Sequence, residues 1–297
     1  MKQRTKLGSE AGKHFILIIG ALVVILPFYL MLSFSFKSPA EIQSISGGFF
    51  GAQEMMTDRK CLKTDRSEEE CTMLPIVYNY TAAFKEAPLL RYLFNGVIVT
   101  LSIFVIQIII ALPCAYALAK LNFWGKDVVF GLVIFCLLIP VHAIALPLYL
   151  MLAKFGLTNT FASLVIPWTI SVFGIFLMRQ SFKSVPIELH EAAQVEGCGI
   201  FGILWKVYVP LARPTYIAYA LVSVSTHWNN FLWPLIVTNS PDTRPLTVGL
   251  SIFAAPENGV DISIISAATI MSVAPLLVAF LLFQRHFVQA FLRAGIK

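Results

Sequence analysis

Charge is what this chain has least of. Asp, Glu, Lys and Arg together make up 13% of its 297 residues, about half the share of a soluble globule. Six apolar runs, residues 14–36, 92–119, 128–153, 160–178, 215–238 and 262–284, carry none of the four in their interiors. A carrier driven by a proton or sodium gradient needs intramembrane carboxylates or similar groups for its coupling ion. Only His142 and His227 are on offer, neither with an acidic partner in a run, so an ion-coupled carrier is the disfavoured alternative.

Signatures of chemistry are missing too. No G-x-x-x-x-G-K-[ST] phosphate loop occurs, so the chain does not bind ATP in that way. His190-Glu191-Ala192-Ala193-Gln194 begins like a zincin helix, but Gln replaces the second zinc ligand. No G-x-S-x-G elbow exists. An enzyme is therefore not expected, nor a metal site.

Cysteine is sparse at five. Cys114, Cys136 and Cys198 read as small packing residues. Cys61 and Cys71 share a polar excursion, residues 37–91. An oxidising compartment would favour a bridge worth roughly 2–3 kcal/mol; two unpaired thiols are the plain alternative.

Apolar residues make up 58% of the chain and mean hydropathy is +0.78. Each of the six runs is near the length of about 20 residues that spans a bilayer, which predicts an all-α integral membrane protein with six transmembrane helices in contact with lipid. Interior Pro113, Pro140, Pro147, Pro167, Pro234 and Pro275 are expected to kink them. Residues 14–36 form too long a run for a signal peptide and lack its cleavage pattern. Orientation follows from Lys and Arg in short loops. One side holds Lys120, Lys126, Arg179, Lys183, Lys206 and Arg213, the other only Lys154 and Arg244. Residues 1–13 and 285–297 are then cytoplasmic and 37–91 periplasmic. The pI of about 9.1 reflects this bias, not nucleic-acid binding.

One polar patch interrupts the membrane pattern, between the fourth and fifth runs at 179–213. Ser184 and Pro186 are helix-start signals, Glu188 and Glu191 suit the positive end of a helix dipole, and Ala192 and Ala193 continue with small side chains. Gly197 and Gly199 then turn the chain. A second helix, 200–209, leads to Pro210. The fifth run is unusually polar for a membrane helix. Ser223, Thr226 or His227, Asn230 and Pro234 recur at helical spacing, flanked by Trp228, Asn229 and Trp233. Amides, hydroxyls and flat aromatic faces suit a pathway for a polyhydroxyl compound; gluing helices together is the alternative role. His142, beside Pro140, is a further candidate.

The run Glu191-Ala192-Ala193-Gln194-Val195-Glu196-Gly197, with Val209-Pro210-Leu211, resembles the EAA loop of ABC-type importer permeases. Glu196 stands where aspartate is common, and Cys198 where alanine is. Ala115-Tyr116-Ala117-Leu118-Ala119-Lys120, Gly156-Leu157-Thr158-Asn159-Thr160, Trp228-Asn229-Asn230-Phe231-Leu232-Trp233-Pro234-Leu235 and the tail from Gln284 are similar to the carbohydrate-uptake, MalG-like branch. The resemblance covers most of 91–297 and leaves Cys61 and Cys71 outside it. It implies a type I importer bundle with residues 92–284 as the core. A second permease subunit, two ATPase subunits holding ATP and magnesium, and a periplasmic solute-binding protein would complete the importer. It gives Glu188, Glu191, Ala192, Ala193, Glu196, Gly197 and Pro210 to ATPase coupling. The family's use of the fifth helix supports Ser223, Thr226, His227, Asn229, Asn230 and Trp233 as substrate-pathway residues, with His142 a candidate from its own position, and the resemblance gives Glu257 and Asn258 to the binding protein. The expected cargo is a sugar or sugar derivative, with glycerol 3-phosphate as the alternative, taken up across a bacterial inner membrane.

Overall fold

A computed structural model of the protein describes residues 2–44, 48–51, 73–254 and 261–295. Among them every regular element is helical. Cys61, Cys71, Glu257 and Asn258 lie outside the described residues. The chain falls into two units, Met1–Leu89 with Leu250–Ala274 and Leu90–Gly249 with Pro275–Lys297.

In the first unit, α1 (Lys2–Phe34) contains a 23-residue span, Gly12–Phe34, whose most apolar 18 residues have a mean hydropathy of 2.9 and none buried, as befits a helix facing lipid. Ser38 and Glu41 form a reciprocal capping box at the start of α2 (Pro39–Gln43), satisfying two N–H groups that a helix start leaves orphaned. Asn79, on α3 (Pro75–Glu86), is fully buried and its Nδ2 donates to the Ser35 and Lys37 carbonyls at 3.0 and 2.9 Å. Its side chain therefore closes the end of α1. The described residues of 37–91, a region expected as a loop, thus contain two short helices and the start of a third.

The second unit holds α4 (Leu89–Lys120, from Leu90 on), α5 (Lys126–Leu137), α6 (Ala145–Lys154), α7 (Phe161–Val165), α8 (Val172–Lys183), α9 (Ile187–Val195), α10 (Ile200–Ile203), α11 (Arg213–Trp228), α12 (Leu232–Val237) and α13 (Leu246–Gly249). Helix α14 (Ile262–Gly295) belongs to the first unit up to Ala274 and to the second beyond it; it remains helical through most of the expected tail.

Three helices among the described residues are long and apolar enough to cross a membrane unbroken, those of the first, second and sixth runs. The third run is a pair bent by 90° and the fourth a pair bent by 42°. The fifth, expected at 215–238, is α11 and α12 separated by Asn229, Asn230 and Phe231. Asparagine explains that interruption. Asn229 Nδ2 donates to the Ser225 carbonyl at 2.8 Å and Asn230 Oδ1 accepts from Trp233 N at 3.4 Å, side-chain bonds that compete with helix continuation.

The prolines sort by the same logic. Pro113 and Pro275 stay inside continuous helices, whereas Pro140 and Pro167 mark the two bends. Pro147 and Pro234 sit in the first turn of α6 and α12, where a missing N–H costs nothing. Cys114 and Cys136, expected to pack inside, are exposed; Cys198 is half-buried against the core.

Asn159, at φ 57°, fastens the loop after α12. Its Oδ1 accepts from Asn239 N (2.9 Å), Ser240 N (3.1 Å) and Thr243 Oγ1 (2.7 Å). From α4, Asn95 Nδ2 reaches the Asp242 and Arg244 carbonyls, both at 2.9 Å. Beside this clamp Gly249 lies so close to Tyr92 that an added Cβ would overlap the ring. Gly249→Ala is expected to destabilise the detergent-solubilised protein by about 1–3 kcal/mol through overpacking. A thermal midpoint equal to wild type would contradict that packing.

Candidate functional site

The polar patch builds a short helix seated on an aromatic core. Helix α9 follows Pro186; Ser184, expected to start it, instead ends α8, its hydroxyl turned back to the Ser181 carbonyl at 2.7 Å. Glu188, Glu191, Ala192 and Glu196 are exposed. His190 and Ala193 are the buried positions, three residues apart and so on one face. Ala193 was expected to present a small surface outward with Ala192. It lies instead at 7% exposure in a cluster with Tyr116, Phe182 and Tyr208, and so anchors the helix.

The second helix begins at α10, passes through a π-helical stretch, Leu204–Tyr208, and ends at Val209–Leu211 with Pro210 exposed. The wider winding accompanies burial of both Leu204 and Tyr208. Tyr208 Oη shares a 3.3 Å hydrogen bond with His190 Nδ1, and its ring lies 5.1 Å from that of Tyr116. Burial, with Tyr116 a lesser contributor, pushes the Tyr208 phenol up to about 12, so the hydroxyl stays neutral. Lys120 Nζ donates to the Val185 carbonyl at 2.8 Å and lies over the Tyr208 ring. These contacts tie the end of α4 to the segment that bears α9.

Gly197 ends α9 at φ +80°, with Gly197 N and Cys198 N donating to the Gln194 and Ala193 carbonyls at 2.9 and 3.0 Å. That left-handed closure is the one the sequence predicts. Arg179, which the sequence places beyond the fourth span, lies within α8 at 7% exposure. Its Nε donates to the Leu118 carbonyl at 3.1 Å and its guanidinium lies 3.5 Å from the Phe130 ring centroid. An apolar-run count stops at such a residue; its packing role emerges only from the approach of α8 to α4 and α5.

A second site lies among the helix breaks. His142, Ala145, Leu148, Trp168, Thr226, His227, Asn229, Asn230, Phe231, Leu232 and Trp233 line a cleft of about 510 Å³. Six of the seven residues expected on the pathway are there. The seventh, Ser223, is buried away from it, its Oγ donating to Gln107 Oε1 at 2.7 Å. Trp233 is nearly buried, its Nε1 donating to the Ser163 carbonyl at 2.9 Å. Gln107 and Trp168 are the residues sequence reasoning missed. A glutamine alone in the apolar stretch of α4 was the available signal.

Comparison with known proteins places the chain. The sequence profile of the family described as "Binding-protein-dependent transport system inner membrane component" matches residues 107–293. The arabinooligosaccharides transport system permease protein AraQ of Halalkalibacterium halodurans is 34% identical over 220 residues, 74% of this chain and 78% of that one. The diacetylchitobiose uptake system permease protein NgcG of Streptomyces coelicolor is 29% identical over 279 residues, 93% and 85% of the two. The fold is shared with a chain of a bacterial ABC transporter involved in import of the acidic polysaccharide alginate, with a TM-score of 0.78 at 23% identity, covering 96% of this chain and 98% of that one.

The turn at Gly197 has no atom within 4 Å of an added Cβ, so only its backbone resists substitution. Gly197→Ala is expected to cost about 1–2 kcal/mol locally, read as faster hydrogen exchange at the amides of 197 and 198. Gly197→Asn should exchange close to wild type, since asparagine tolerates positive φ. Equal exchange in wild type and Gly197→Ala would contradict the left-handed turn.

Proposed function

The chain belongs to the binding-protein-dependent transport system inner membrane component family, the multi-pass permeases of ABC importers in the bacterial inner membrane, and from that premise we propose that it carries a sugar or oligosaccharide. It does so as one half of a permease heterodimer, driven by two ATPase subunits and fed by a periplasmic solute-binding protein. Both termini are cytoplasmic in this reading, and ATP and magnesium belong to the ATPase subunits. The oligosaccharide relatives support the cargo class, as does a cleft that offers amides, imidazoles and aromatic faces.

The observation that carries the coupling role is the seating of α9. Its carboxylates Glu188 and Glu191 are exposed while His190 and Ala193 hold its other face in the core. A rigid helix with a polar outer face suits a basic partner surface. ATP binding closes the ATPase dimer in this mechanism, α9 moves with it, and the bundle opens outward to receive substrate. Hydrolysis resets the inward state. The mechanism is alternating access.

Glu191→Ala tests this directly. Because Glu191 is exposed, its loss should leave membrane insertion and thermal stability within about 0.5 kcal/mol of wild type. ATP-driven uptake by the reconstituted four-subunit transporter is expected to fall about tenfold or more, as for truncating one side of a charged contact at an interface. Uptake and binding-protein-stimulated ATPase activity both at wild-type level would remove α9 from the coupling role.

A further inference from the structure

Two phenylalanines sit where a chain in water places polar residues. Residues 48–51 form a tight turn, closed by Gly51 N donating to the Gly48 carbonyl at 3.2 Å. The two central residues of that turn are Phe49 and Phe50, and Phe50 is 58% exposed. Turn tips in water favour Gly, Pro, Asn, Asp and Ser, which set the backbone or bond to it. A bare Phe-Phe tip points to a different medium.

The turn is fastened alongside the end of α1. Ser33 Oγ donates to the Phe49 carbonyl at 2.8 Å. The Phe49 ring lies 5.0 Å from that of Tyr29 and 5.8 Å from that of Phe36, and Phe50 stacks on Phe36 at 5.4 Å. Tyr29, Ser33 and Phe36 are four and three residues apart and so share one face. The same stripe carries Ile18, Leu22 and Ile25 along the span, all three exposed. The opposite side of this helix end belongs to α3. Ser35, two residues past Ser33 and so about 200° around the axis, shares a 3.2 Å hydrogen bond with Tyr80 Oη, and its carbonyl accepts from Asn79. The turn therefore lies along the side of α1 that α3 leaves open. Its exit is specified by Gly51, at φ 71°, where an added Cβ would lie 2.8 Å from the Glu41 carboxylate.

We infer that Phe49 and Phe50 form a membrane-interface anchor, seated beside α1 at the boundary between phospholipid headgroups and acyl chains. Continuity decides for lipid. The stripe that the turn tops is the exposed face of a membrane span, and none of the most apolar 18 residues of that span is buried. Tyr29 adds the amphipathic ring that suits headgroup level. The anchor sets the level at which α1 ends, in the periplasmic leaflet for the proposed orientation. The inference rests on the chain's place among multi-pass permeases and is independent of the cargo.

The test uses the assembled transporter in phospholipid vesicles, with native cysteines replaced and a nitroxide attached to Phe50→Cys. Ile25→Cys, on the same stripe and eight residues below Ser33, lies about 12 Å further along the axis and supplies the acyl-chain reference. Oxygen partitions into lipid, whereas a nickel chelate stays in water. The oxygen-to-nickel accessibility ratio at 50 should fall below that at 25 and several-fold above that of the label in water. A ratio equal to that in water overturns the inference, because the tip then faces solvent. Low accessibility to both reagents also overturns it, because another protein subunit then covers the tip. Phe50→Trp keeps an aromatic tip and gives a second reading. Its emission, after subtraction of wild type, should be quenched by phospholipids brominated on the acyl chains more than by aqueous iodide. The reverse order contradicts the anchor.

Discussion

A bilayer accepts a broken helix only where the freed N–H and C=O groups find protein or a water-filled space. Among the described residues two spans are bent pairs and the polar fifth run is interrupted, and all three breaks border one cleft. His142 comes from the first break, Trp168 from the second, and Asn229 to Phe231 from the third. The backbone groups released there are met by the protein. Gln107 takes the Trp168 carbonyl and Thr247 Oγ1 donates to the Asn230 carbonyl at 2.8 Å. The polar side chains that interrupt the helices thus both create the cleft and stabilise its walls. That coincidence of side-chain bonding and ligand chemistry is why the cleft serves as the passage in the proposed mechanism.

The end that bears α9 depends on a different balance. A nine-residue helix such as α9 is marginal in isolation, so its rigidity must come from its seat. His190 and Ala193 supply that seat against Tyr116, Phe182 and Tyr208, and Lys120 holds the preceding turn. In the proposed mechanism a displacement of α9 would pass to the ends of α4 and α8, which share its seat. Arg179, stacked on Phe130 and bonded to the end of α4, reinforces the same junction. The cleft and the helix are both attached to α4, through Gln107 and Tyr116.

Much of this was legible in the residues. Of the six runs that hydropathy marked, three are continuous spans and two are bent pairs, while the polar fifth is not apolar enough to count as a span; the Glu191–Gly197 spacing located α9 and its closing turn. The polar stripe on the fifth run and its flanking residues named five of the cleft residues, and His142, beside Pro140 on the third run, was the sixth. What sequence could not convey was which small or polar residue faces inward. Ala192 and Ala193 are chemically identical, yet only Ala193 is buried, because the helix phase is set by His190 against Tyr208. Ser223 shares the stripe with Asn230, but Gln107, over a hundred residues away in the chain, draws it out of the cleft. The bends at Pro140 and Pro167 likewise depend on packing, since Pro113 and Pro275 lie in helices that continue through them.

The central claim is that the cleft is a passage opened to one side at a time by movement at α9. A single cysteine at Asn229, exposed in the cleft, reports on it most directly. In the assembled transporter, with Cys114 and the other native cysteines replaced, a membrane-impermeant thiol reagent should label Asn229→Cys from the cytoplasmic side without nucleotide. With ATP trapped in a hydrolysis-deficient ATPase, labelling should switch to the periplasmic side. Labelling from the same side at the same rate in both states would contradict the account.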